Sequence, residues 1–220
     1  MTKLNYSIII FIMGLLLVFN GGFMSLSALV SVIYGESEAL DIFAASGVAV
    51  FLGASVMYLT RNHVKELQKK EGYLIVTLGW LIMAFAGTMP YMFTGAIASY
   101  TDAFFETMSG FTTTGASIMN DIEIMPKGIL FWRSLTHWIG GMGIIVLAVA
   151  ILPLLGIGGM QLFAAEAPGP SADKLHPRIT DTAKRLWLIY VGFTAIETLL
   201  LKIAGMGWFD AVHHALSTLS

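Results

Sequence analysis

The sequence contains no cysteine, and only 12% of its 220 residues are charged. The first absence excludes a small fold stapled by disulfides. The second excludes most soluble architectures, because an ordinary globular domain carries about 25% charged residues. Basic residues are also scarce, with Lys and Arg numbering 12 against 14 Asp and Glu, which excludes a nucleic-acid binder. What is present is apolar side chain, 56% of the total, with 23 Gly and 13 Met and a mean hydropathy of +0.78. That excess excludes a disordered chain and describes a polytopic membrane protein.

The few charges are segregated along the chain. Leu4 to Gly35, Ile42 to Thr60, Gly72 to Thr101 and Ser134 to Ala165 contain no Asp, Glu, Lys or Arg, and Leu186 to Ala204 contains only Glu197 and Lys202. Crossing the hydrocarbon takes roughly 20 helical residues at about 1.5 Å each. The runs therefore predict spanning helices over 6–33, 40–60, 73–94, 129–152 and 184–204. Lipid offers no partner to an unpaired amide and no alternating barrel pattern is present, so the fold class is all-α and polytopic. A signal peptide is the competing reading of the first span, since Lys3 precedes Ile8 to Phe19 and small residues follow at Ser25, Ser27 and Ala28. The apolar run continues through Val30 to Ile33, which is long for a signal core.

Lys3, then Arg61, Lys65, Lys69 and Lys70, then Lys174, Arg178, Lys184 and Arg185 fall in alternate connections. With one crossing between successive connections they share a side, the cytoplasmic one by the positive-inside rule. Glu36, Glu38, Asp41, Asp102, Glu106, Asp121 and Glu123 fall on the other side, with Lys127 and Arg133 the nearby cations. An acidic outer face concentrates cations; equally, acids are simply the charges that translocate without penalty.

Between the third and fourth spans, residues 100–110 predict a short helix started by Thr101 or Asp102, followed by Phe111-Thr-Thr-Thr-Gly-Ala-Ser117. About ten residues reach only halfway through a bilayer. Thr-Thr-Thr-Gly is poor helix material, and extended backbone at membrane depth survives only where it lines a watery cavity or is buried in protein. In a cavity its carbonyls can replace a cation's hydration shell, with Gly115 supplying the positive φ that keeps them facing one way. A Thr-rich turn after an interfacial helix is the plainer alternative. An internal repeat favours the first reading: Trp208 to Ser220 aligns without gaps with Tyr100 to Thr112, pairing Asp102-Ala103 with Asp210-Ala211 and Ser109 with Ser217. The unit is helix, half-helix, filter, helix, and the second copy breaks off at Ser220. A carbonyl ring needs about four strands, so the chain is expected to oligomerise or to be a piece of a longer protein, the latter preferred.

Phe131-Trp-Arg-Ser-Leu-Thr-His-Trp-Ile-Gly-Gly-Met-Gly143, Gly156-Ile-Gly-Gly-Met-Gln-Leu-Phe163, Glu166-Ala-Pro-Gly-Pro170 and Pro177-Arg-Ile179 resemble the TrkH-type subunit of the Trk/Ktr/HKT potassium transporters. The resemblance runs along the whole chain and is most specific from Trp132 to Ile179. It implies two introductory helices and a basic cytoplasmic loop in 1–71, a first helix–pore loop–helix repeat in 72–152, a cytoplasmic loop in 153–183, and the start of a second repeat in 184–220. It implies potassium uptake across the bacterial cytoplasmic membrane through a filter of backbone carbonyls, with no catalysis, no cofactor and K+ as the transported ion. Thr112, Thr113, Thr114, Gly115 and Ala116 correspond to the first filter strand and Ser220 begins the second. The implied partners are a nucleotide-binding TrkA-type regulatory subunit facing 153–185, a second copy of the chain, and membrane lipid; nucleic acid is not one. Ala164 stands where the resemblance leads one to expect Arg. The alternatives are a secondary transporter coupled to H+ or Na+, or a non-conducting scaffold if the 220-residue form is complete.

Other residues have plainer expectations. Gly140, Gly141 and Gly143 suit close helix packing, and Pro90 and Pro153 suit kinks or ends. Arg133 and His137, four apart on one helix face, are placed to hold Glu106 or Asp121, because ionisable groups at depth need partners. Glu197 needs a partner, whereas Lys202 can snorkel. His137, His213 or His214 with a carboxylate is the alternative of an intramembrane enzyme, and His213-His214 with Glu106 suggests a metal site, but no further ligand falls at useful spacing.

Overall fold

The computed structural model describes residues 4–62, 69–119, 121–122, 124–155 and 175–220; the side chains of 69, 144–155 and 175–180 fall outside that description. Among the described residues every regular element is a helix: α1 (Tyr6–Ile33), α2 (Ala39–Leu59), α3 (Lys69–Gly87), α4 (Met89–Phe93), α5 (Tyr100–Phe111), α6 (Lys127–Leu155), α7 (Leu175–Ile203) and α8 (Trp208–Thr218). Four segments are long and apolar enough to cross a membrane: Tyr6–Ile33, Ala39–Leu59, Lys70–Phe93 and Asp181–Ile203. They match the first, second, third and fifth expected spans. The fourth, 129–152, lies inside the 29-residue α6, whose side chains beyond 143 are not described. Two compact units divide the chain, 1–137 and 138–220, and each is taken by itself.

In the first unit, α1 starts where the Asn5 side chain accepts from Ile8 N at 3.4 Å, satisfying one of the orphan amides of the first turn. It ends where Gly35 takes a left-handed φ of 69°. Gly35 N and Glu36 N then reach back to the carbonyls of Val32 and Ser31, the paired bonds of a Schellman stop. The third span is broken rather than continuous. Pro90 has no amide to offer Ala86 O, and Thr88, at the break, donates its Oγ1 to Phe85 O at 2.7 Å; α4 restarts just beyond α3.

Small residues hold α1 against α2. A Cβ on Gly53 would lie 2.6 Å from Gly14 O, and one on Gly21 2.9 Å from Ser46 O. Ser46 Oγ donates to Gly21 O at 2.8 Å and shares a 2.7 Å bond with Ser25 Oγ. With no solvent to drive helices together in lipid, such close backbone approach supplies dispersion contact and polar bonds instead.

Two long-range bonds set the directions of the helices. Asn5 N donates to Glu71 Oε1 at 2.9 Å, bringing the starts of α1 and α3 to one end. The Glu36 carboxylate accepts from Lys127 N at 2.5 Å and Gly128 N at 3.0 Å, bringing the end of α1 to the start of α6 at the other. This is the alternating order that the basic residues predict. Glu36, expected on an acidic outer face, is therefore a helix cap: its charge neutralises the positive end of α6.

In the second unit, Trp138 of α6 packs on α7. Its Nε1 donates to Thr194 Oγ1 at 3.0 Å, Tyr190 Oη donates to Trp138 O at 3.2 Å, and its ring stacks edge-on to Trp187 at 6.0 Å. α7 ends at Gly205, φ 104°, in a second Schellman stop that returns Gly205 N to Lys202 O and Met206 N to Leu201 O.

Gly53→Val is expected to lower stability by about 2 kcal/mol through overpacking. Gly47→Val, whose Cβ meets nothing within 4 Å, serves as control. Thermal unfolding in detergent checks this, and equal stabilities of the two variants would contradict it.

Candidate functional site

α5 is the half-helix. Its N-cap is Ser99, in extended conformation with φ −90° and ψ 126°, whose side chain accepts from Asp102 N. The expected starts, Thr101 and Asp102, lie one and two residues inside the helix; Ser99 precedes them and already closes the first turn. Asp102 then sits where a negative charge suits the positive helix end. Twelve residues span about 18 Å, roughly half of a 30 Å core. Phe111 is buried between Trp80 and Trp132, with ring centroids at 6.3 and 6.5 Å. Trp132 Nε1 in turn donates to Gly87 O at 3.0 Å. Gly110 lets α5 lie on α6 without a gap, since a Cβ there would run into Thr136 Oγ1.

The backbone after α5 is arranged with a clear asymmetry. Thr112 N donates to Met108 O, Thr113 N to Gly110 O and Thr114 N to Ser109 O, at 2.9, 2.9 and 3.0 Å. The last two form a third Schellman stop, but the left-handed position is held by Thr113, φ 54°, where α1 and α7 use glycine. A β-branched residue there carries strain of about 1–3 kcal/mol. Gly115 follows with φ 76°, as expected of it. Among the described residues, the carbonyl oxygens of Thr112, Thr113, Thr114 and Gly115 accept no hydrogen bond. Alternating right- and left-handed residues can cradle an anion with their amides, but here the Thr112 to Thr114 amides are already spent on α5. The free groups are acceptors, beside the negative end of a helix dipole, and that combination suits a cation.

The far side of the strand is tied down. Ser109 Oγ donates to Ala116 O at 2.6 Å, so this last expected filter carbonyl already holds a protein donor. Glu106 is 1% exposed. Its Oε1 accepts from Arg133 Nε at 2.5 Å, and its Oε2 accepts from Ile118 N at 2.9 Å and Ser117 Oγ at 3.1 Å. Of the two pairings open to Arg133, the structure thus forms the one with Glu106, while Asp121 is exposed. His137 does not join it: its Nε2, like the Tyr91 hydroxyl, is buried without a hydrogen-bond partner among the described residues.

Thr112 to Ala116 form one continuous irregular segment in the first unit. Ser220 belongs to the second, where its Oγ donates to Ser217 O at 2.8 Å and its Cα would meet a Cβ on Gly141 at 2.9 Å, in keeping with a packing role for that glycine. Glu197 has its partner in Thr218 Oγ1, at 2.5 Å. Lys202 Nζ reaches Met206 O at 3.1 Å and lies 5.3 Å from the Trp208 ring centre. His213 stacks on Phe209 at 5.9 Å. Among the described residues no three His, Cys, Asp or Glu gather into a metal-holding group. The basic loop is largely outside the described residues, Ala164 and 166–170 included.

Comparison with known proteins places the whole chain beside one family. The family described as TrkH, cation transport protein, matches residues 39–220. The Trk system potassium uptake protein TrkH of Halomonas elongata is 46% identical over 99% of this chain and 45% of its own length. Its namesake from Escherichia coli K12 is 46% identical over 95% of this chain and 44% of its own. The crystal structure of the potassium transporter TrkH from Vibrio parahaemolyticus superposes with a TM-score of 0.84 at 40% identity, over 97% of this chain and 42% of that one. The chain spans about 45% of the length of the curated relatives it matches.

The strain at Thr113 gives an expected outcome. Thr113→Gly raises stability by up to about 1 kcal/mol, the left-handed penalty less the added freedom of the unfolded chain. Thermal unfolding in detergent checks it; a loss of stability would contradict the strain.

Proposed function

The chain belongs to the TrkH family of cation transport proteins, and from that premise we propose that residues 112–115 form one strand of a potassium-selective filter in a membrane uptake system. The observation that carries the proposal is the asymmetry of this segment: its Thr amides are consumed by the end of α5, while among the described residues its carbonyl oxygens accept no hydrogen bond. Dehydrating an alkali cation is costly unless oxygen dipoles take the place of water. Free carbonyls at half-membrane depth, beside the negative end of α5, supply such dipoles without bringing a fixed negative charge that would trap the ion. Of the five expected residues, Thr112 to Gly115 offer uncommitted carbonyls, and Ala116 anchors the strand through Ser109.

One strand does not surround an ion, and about four are needed. The remaining strands therefore come from further sequence or from other copies of the chain, with Ser220 at the head of the second. Transport in this reading needs no covalent step and no cofactor; potassium is cargo. The setting is the bacterial cytoplasmic membrane; the relatives' place in a Trk system supports action within a multi-component system, and in this reading the partners are a cytoplasmic nucleotide-binding regulatory subunit and a second copy of the chain. The basic residues Lys184 and Arg185, at the exposed start of the last span, lie on the side that this subunit would approach.

The test is ion discrimination. Gly115 needs φ 76°, and an L-residue held there costs about 1–2 kcal/mol, which displaces the carbonyls. In the assembled transporter Gly115→Ser is expected to lower the K+ to Na+ permeability ratio about tenfold, the equivalent of about 1.4 kcal/mol. Flux measurements at matched protein levels check this, and an unchanged ratio would defeat the proposal.

A further inference from the structure

We propose that Glu106 is a positioning residue that sets ion selectivity by holding the outer end of the filter strand. The inference rests on reading 112–115 as that strand. The strand is fixed at two ends by different means. Its inner end is covalently continuous with α5 and is pinned by the bonds from Thr112, Thr113 and Thr114 to the last turn. Its outer end has no such helical continuation, and there the Glu106 carboxylate receives Ile118 N and Ser117 Oγ.

Glu106 is itself held from behind. Arg133 of α6 grips its other oxygen, and the residue is 1% exposed, so neither oxygen is free to drift toward water. One carboxylate therefore joins three elements: the half-helix that carries it, the backbone just past the filter, and the spanning helix behind. Hydrogen bonds to an ionised acceptor are shorter and stronger than neutral ones, and the Arg133 bond behind them is buried. Ser109, one turn on from Glu106 in α5, adds a parallel tie to Ala116 O. The strand is thereby stretched between two anchors on one rigid helix. The spacing of its free carbonyls depends on the outer anchor, and discrimination between ions of different radius depends on that spacing.

The arrangement distinguishes a positioning role from simple folding support. A carboxylate needed only for folding would, when replaced, lower the amount of transporter and its flux for every ion alike. A carboxylate that spaces the carbonyls changes the ratio between ions. The experiment measures Rb+, K+ and Na+ flux in the assembled transporter for Glu106→Gln, Ser117→Ala and Gly115→Ser, with membrane levels quantified. Glu106→Gln preserves volume but loses the charge that both Arg133 and the strand donors need. It is expected to lower the K+ to Na+ ratio about tenfold, as for loss of hydrogen bonds to a charged group. Ser117→Ala removes one hydroxyl donor and is expected to lower it about threefold.

An unchanged ratio in Glu106→Gln at normal membrane levels overturns the inference. If that variant fails to reach the membrane, Ser117→Ala decides on the same criterion, because loss of one partly exposed hydroxyl leaves the Arg133 pair in place. A changed ratio in Gly115→Ser alongside unchanged ratios in both other variants leaves the filter reading standing and removes Glu106 from it. Unchanged ratios in all three remove both.

Discussion

The constraint on which the structure depends is that a backbone amide at membrane depth must find an acceptor inside the protein. α5 meets it by ending in a Schellman stop whose donors are the amides of Thr113 and Thr114. The consequence is one-sided: the three Thr amides of the following tract are consumed, while among the described residues its carbonyls are not. A tract with free donors would be an anion cradle, and a tract with both sides paired would be inert. The left-handed geometry imposed on Thr113 accompanies this asymmetry, and strain concentrated at such a point is characteristic of functional backbone.

Around the tract, the rest of the first unit acts as a frame. α5 is held in place by apolar contacts of Phe111 with Trp80 and Trp132 and by the absence of a side chain at Gly110. α6 supplies the buried cation, Arg133, that a buried carboxylate requires. The start of α6 is in turn capped by Glu36 from the α1–α2 turn, so α1 and α2, held together by the close Gly14–Gly53 approach, are coupled to this frame by charge.

The architecture was readable from charge-free runs because lipid leaves few alternatives: an uncharged run of sufficient length must be a helix. The break at Thr88, two residues before Pro90, followed from that proline's missing amide. The half-helix was legible from its length and its repeat, but not its cap, because Ser99, Thr101 and Asp102 are all good caps within four residues and only tertiary packing selects among them. Arg133 was legible as a residue in need of a carboxylate, whereas the choice of Glu106 over Asp121 depended on the direction in which α5 lies. Glu36 was read as one of several outward acids, since nothing local marks a bond that closes across about ninety residues. Least legible was Thr113: propensity assigns a β-branched residue to extended backbone, and the helix stop overrides it. The tie from Ser109 to Ala116 had no sequence signal, because it exists only once that stop has turned the chain back.

The central claim is that the carbonyl oxygens of Thr112 to Gly115 take the place of water around a potassium ion. The most direct measurement is anomalous diffraction from crystals of the assembled transporter grown in rubidium. The account predicts rubidium peaks on the axis beside this tract, within coordinating distance of those oxygens. Rubidium found only elsewhere, with the tract's carbonyls facing lipid or protein, would contradict it.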